Sequence, residues 1–324
     1  RRHAAWWGWA DKRSGNVERT SFVVIKSDAT RLAALTSGEV DLVLDPPYQD
    51  ISRLQADTRM TLAQTADIGQ QYLGFDQARP ELEGSDVKGR NPFKDLRVRQ
   101  ALHHAVDIET LKTKLMNGQS VPTGALTPSP QGGYNDAQLE SRLPFDLAKA
   151  RALMIEAGYA DGFEVTIDCP NNRYVNDEEI CIALAAMWSQ LKVKLKVNAM
   201  PRVTWFPKME KLDTSLYLLG WGGSVTDAET TLTPVMRFPA EGGIGLYNWG
   251  RVRNEKFEQA AVAQSQEPDP KKREELIKVA LREYKSQVHL IPLHRQVIPW
   301  AARSNVDAVH RADNWLEVPW VTIR

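Results

Sequence analysis

The chain has 324 residues, 42% apolar and 25% charged, enough for more than one packed core and ordinary for a folded globular protein. Its 41 Lys and Arg balance 41 Asp and Glu, so neither nucleic acid nor an anionic membrane surface is an expected partner. The longest apolar runs, such as Cys181 to Trp188, fall far short of the roughly 18 residues that cross a bilayer, and Arg1-Arg2-His3 does not open a secretory signal segment.

In chain order, Phe22-Val23-Val24-Ile25 reads as a buried strand. Asp28 is placed to cap a helix through Arg31–Leu35, with Gly38 as its stop. Val40–Leu44 reads as a second strand ended by Pro46-Pro47, and strand–helix–strand favours a parallel crossover. Tyr72–Phe75 is a short strand and Arg79–Gly89 a polar loop. A helix after Asp95 carries Val98, Ala101, Leu102 and Ala105 on one face. Gly118–Gly133, with three prolines and four glycines, reads as a long loop. Asp146 caps a helix that Gly158 stops.

The next stretch alternates clearly. Val165–Cys169 is a strand and Asp177–Leu191 a helix, with Ile180, Leu184, Met187, Trp188 and Leu191 at helical spacing. Val193, Leu195 and Val197 alternate as a strand, Trp205-Phe206 lie on a short helix, and Leu216–Leu219 form a third strand. This βαβαβ series predicts an α/β lobe. Asn254 and Asp269-Pro270 open two further helices, and Val288–Trp300 reads as extended.

Cys169 and Cys181 are the only cysteines. A loop from strand end to first helical turn could join them, and two buried free thiols fit the spacing equally well. Neither a second cysteine pair nor a nearby histidine completes a zinc site.

Several segments, taken in order, resemble one family. They are Asp28–Asp41 (DATRLAALTSGEVD), Tyr72–Phe75, Pro92–Leu102 (PFKDLRVRQAL), Ala148–Leu153 with Ala157-Gly158-Tyr159, and the Gly220-Trp221 turn. The chain is similar to the extracytoplasmic solute-binding proteins of peptide-type ABC importers, family 5, which also serve oligopeptides, dipeptides and nickel complexes. The resemblance covers nearly the whole chain. It implies an α/β, two-lobed periplasmic binding protein fold (type II, peptide-binding-protein-like) whose lobes close on a ligand. It further implies delivery to an ABC permease in the cytoplasmic membrane, a periplasmic location, a monomer, and neither catalysis nor a cofactor. In such proteins the segment around Trp6-Trp7-Gly8 lies well inside the chain, so the first lobe is expected to be incomplete. Residues 1–77 are assigned to lobe I, 78–286 to lobe II, and 287–324 to the return crossing and the C-terminal part of lobe I. The Cys169–Cys181 stretch resembles a disulfide-bearing variant of the family, which implies a bridge.

Ligands of open α/β sheets bind beyond the carboxyl ends of strands. One such end is the Pro170–Asn176 loop. Its Arg173 offers a two-pronged donor to a carboxylate, next to a helix N-terminus that favours anions. Asn172, Arg173 and Tyr174 are therefore candidate ligand contacts, and in dipeptide-binding relatives an Arg and a Tyr of the matching loop touch the ligand. The other end holds Trp221, Gly222, Ser224 and Asp227. Glycine permits close backbone approach and Trp221 a stacking face. Peptide binders of this family usually place an Asp where Ser224 stands, to pair with the ligand's amine. Ser224 argues against a free peptide amine, and Asp227 is the substitute candidate. Trp249, in Tyr247-Asn248-Trp249, completes the set. The solute expected is a peptide or a peptide-like anionic conjugate. A receptor for an opine, a sugar or a metal chelate is the alternative, and an α/β hydrolase-type enzyme the remote one. No Gly-x-Ser-x-Gly or P-loop is present.

Overall fold

The computed structural model describes residues 3, 5–10, 15–129, 132–222 and 226–324. Its main strands are β1 (Leu42–Leu44), β2 (Met60–Ala66), β3 (Gln70–Phe75), β4 (Ser120–Pro122), β5 (Glu164–Pro170), β6 (Lys194–Met200), β7 (Leu216–Trp221) and β8 (Leu290–Arg303). The chain divides into two compact units, one of residues 1–67 and 297–324, the other of residues 68–296. β8 contributes its first half to the second unit and its second half to the first.

In the first unit β1 and β2 flank the 297–303 half of β8, both antiparallel, with Val43 and Leu62 each opposite Ala301. Leu32, Leu35, Val43, Leu54 and Ala301 form its core. Two expectations are corrected here. Phe22, Val23 and Val24 are exposed and join no strand ladder among the described residues, so no parallel crossover forms; β1 satisfies its backbone groups on β8 instead. The Asp28–Ser37 helix is capped by Ser27, whose hydroxyl accepts from the Thr30 N–H, while Asp28 sits in the first turn and pairs with Arg31 at 2.7 Å. Gly38 ends this helix at φ 83°, as the glycine stop predicts.

The second unit carries the βαβαβ series. β5 runs parallel to β6 along its whole length and parallel to β7 at Asp168 opposite Tyr217. β3 is antiparallel to β7 on one side and to the 290–294 half of β8 on the other, giving the order β8–β3–β7–β5–β6. The Asp177–Trp188 and Arg202–Glu210 helices make the two crossovers. Three parallel strands therefore end at one edge, at Pro170, Met200 and Trp221. Beneath them lies a core built around Tyr72, Trp205, Tyr217, Trp249, Phe257 and Leu281. The Gly118–Gly133 stretch contains a three-residue strand, β4, on β8. Among the described residues, no helix is long and apolar enough to cross a membrane.

Candidate functional site

The loop after β5 is held rigidly. A disulfide joins Cys169, in β5, to Cys181, in the following helix, with Cα atoms 6.8 Å apart. Inside that ring the buried Asp177 carboxylate accepts from the backbone N–H groups of Arg173 (2.9 Å), Tyr174 (3.0 Å) and Glu178 (3.1 Å). Asn176 adopts φ 55°, a left-handed conformation that Asn tolerates, and its amide donates to the Leu115 carbonyl at 2.9 Å. Val175 N–H donates to the Gln296 side chain at 2.8 Å. These bonds engage the loop's backbone, while the Arg173 residue itself is exposed.

Tyr174 ties this loop to the end of β7. Its hydroxyl accepts from the Gly220 N–H at 2.8 Å and donates to the Gly220 carbonyl at 3.2 Å. Burial raises the phenol pKa, which keeps the proton needed for the donated bond. A Cβ at Gly220 would come within 2.6 Å of the Tyr174 ring, so glycine is required there for this packing. The loop after β6 is tied in as well, since the Asn172 side-chain oxygen accepts from the Arg202 N–H at 2.8 Å.

Between these strand ends opens a cavity of about 490 Å³. Arg173, Tyr174, Trp221 and Gly222 line it, together with Arg202, Trp205, Phe206 and Tyr247. The two sequence-predicted loops are therefore brought to one cavity. Trp221 is fixed by an N–H bond to the Thr230 carbonyl at 3.0 Å and packs on Tyr247 at 4.7 Å between ring centroids. The Arg173 guanidinium lies 5.1 Å from the Tyr174 ring centre and that of Arg202 lies 5.8 Å from the Phe206 ring centre. Neither Arg forms an ion pair with a described residue, and no Asp or Glu is among the described lining residues.

The other candidates stand differently. Asn172 serves the framework through Arg202. Asp227 is engaged by Arg273 in a fork, with N–O distances of 2.8 and 2.7 Å, which holds its carboxyl below the usual range. Trp249 is buried behind the cavity wall, edge-on to Trp205, Phe206 and Tyr247, all within 6 Å, and lends them support. Ser224 lies outside the described residues. Arg202 was not among the sequence candidates; its signal is its place just after Pro201, at the carboxyl end of β6, the second of the parallel strands. Among the described residues, no group of three His, Cys, Asp or Glu side chains could hold a metal ion.

An α/β sheet with an aromatic, cationic cavity at its parallel strand ends has the architecture of the type II, peptide-binding-protein-like fold class. The family profile "Bacterial extracellular solute-binding proteins, family 5 Middle" matches residues 1–239, and the chain belongs to that family. It is 25% identical over 248 residues to Heme-binding protein A of Haemophilus influenzae, covering 75% of this chain and 42% of that protein. It is 25% identical over 293 residues to Di/tripeptide-binding protein 1 of Pseudomonas aeruginosa, covering 90% of this chain and 52% of that protein. The solved structure of HbpA2 from Haemophilus parasuis superimposes with a TM-score of 0.78 at 24% identity, over 94% of this chain and 57% of that one. The chain thus spans about half the length of the relatives it matches.

Proposed function

We propose that the chain is the substrate-binding component of an ABC importer, holding a peptide or peptide-like anionic solute in this cavity. On this reading it works in the periplasm as a monomer, delivers the solute to a permease in the cytoplasmic membrane, and does no chemistry on it. The ion-pair-free Arg173, on a loop braced by Asp177, Tyr174 and the disulfide, carries the reading. A loop restrained by these bonds limits the freedom that the backbone carrying the guanidinium loses on binding. Trp221 and Tyr247 supply apolar faces beside it. Asn172, Gly222, Ser224, Asp227 and Trp249 belong to the same proposed site, the first and the last two as its framework. The lobe borders, 1–77 and 287–324 for lobe I and 78–286 for lobe II, belong to the same proposal.

The test is to identify by mass spectrometry the solute that copurifies with the native protein and to titrate it by calorimetry. Arg173→Ala should weaken binding by about 2–5 kcal/mol if the pair is desolvated. Unchanged affinity would remove Arg173 from the site, and recovery of a chemically altered solute would point to an enzyme instead.

A further inference from the structure

The cavity holds two guanidinium groups where one would seat a single carboxylate. Arg173 comes from the loop after β5, and Arg202 opens the helix after β6. Each lies near a different ring, Arg173 by Tyr174 and Arg202 by Phe206, and each can offer a guanidinium face to an acidic group of its own. The Asn172–Arg202 hydrogen bond fixes the two loops relative to each other. Two cations on one cavity, with no Asp or Glu among its described lining residues, repel each other, and a bound anion at each relieves that cost. The one acid considered for a ligand amine, Asp227, is already neutralised by Arg273.

We infer that the cavity selects solutes with two separate acidic groups, one at Arg173 and the other at Arg202, joined by a body that packs on Trp221 and Tyr247. This rests on the reading of the cavity as a solute site and names the substrate class it takes. The class is that of dicarboxylates of peptide size, such as an acidic dipeptide whose amine is blocked or absent.

Two matched probes test it by calorimetry on the full chain. N-acetyl-Glu-Phe carries two carboxylates; N-acetyl-Gln-Phe has the same shape and carries one. The diacid should bind tighter by about tenfold, the gain of one further charge-assisted hydrogen bond at a part-exposed site. Arg202→Gln should reduce the ratio of the two dissociation constants to about one, and Arg202→Lys should restore part of it. Arg173→Gln should weaken both probes. Arg202 is exposed, and an unchanged thermal melt verifies the fold of each variant. Equal affinities in the wild type, both lost in Arg173→Gln, would leave the solute site standing and overturn the second acidic seat. A tenfold ratio that persists in Arg202→Gln would overturn it too. If neither probe binds, the two-acid class is overturned, while the copurified solute still decides the reading of the cavity as a solute site.

Discussion

At Tyr174 a single hydroxyl closes two hydrogen bonds to the backbone of Gly220 and so joins the loop after β5 to the end of β7, 46 residues further on. Removing it strands a β7 N–H and carbonyl without replacing them. Tyr174→Phe should therefore cost roughly 1–2 kcal/mol of stability, read as a shift in the urea midpoint at unchanged m-value. A midpoint equal to the wild type would show that water substitutes for the hydroxyl. The same residue shows what the sequence reveals at this scale. The place of Arg173 and Tyr174 on the cavity wall was legible, because both follow the carboxyl end of a strand in an open α/β sheet. The Tyr174–Gly220 contact was not legible, since nothing local at either position announces the other. Asp227 shows the converse. Its type and place fit a ligand contact, and only the tertiary fold sets Arg273 against it.

At the element scale, the disulfide closes β5 onto the first turns of the Asp177–Trp188 helix and encloses the Arg173 loop. Reduction should lower stability by about 3 kcal/mol, the loop-entropy value for a ring of this size, measurable by urea unfolding with and without reductant. It should also weaken solute binding, because the enclosed loop loses a restraint. Unfolding curves that coincide would show that the reduced loop keeps its order through Asp177 alone. Elements with strong periodicity were read correctly, including the crossover helices and β5 to β7. The strands misread or missed are those whose partners are distant. Phe22–Ile25 is apolar enough to be a strand, but a strand exists only where another edge meets it. β2, Met60–Ala66, carries mixed polar and apolar residues and is a strand because β8 lies beside it.

For the whole molecule, buried histidines set the response to acid. His294 in β8 is fully buried, neither ring nitrogen has a partner among the described residues, and burial followed by the nearby Arg142 lowers its pKa to about 4. His289 is lowered to about 3 by burial and then Arg99, and His103 is lowered well below its usual value of 6.5 by burial. In the folded state these rings stay neutral, whereas the unfolded chain takes up protons near 6.5. Unfolding then binds protons, so stability is full above about 6.5 and declines as pH falls toward 4, by roughly 1–3 kcal/mol for His294. His294→Leu should flatten that decline in urea unfolding at pH 7.5, 6 and 5. A slope identical to the wild type would clear His294 of the effect.

The sequence by itself determined the α/β character of the second unit, the family, and the two loops that meet at the cavity. Strand and helix periodicity and the short motifs are local properties, set by which side chains can face a core. The tertiary structure decided what the cavity is made of. Arg202 is a wall residue because β6 ends beside β5, Trp249 lies behind the wall because the aromatic core closes over it, and Asp227 is paired because a helix places Arg273 within 2.8 Å of it. Those outcomes depend on which distant groups share space, and a linear reading carries no distances.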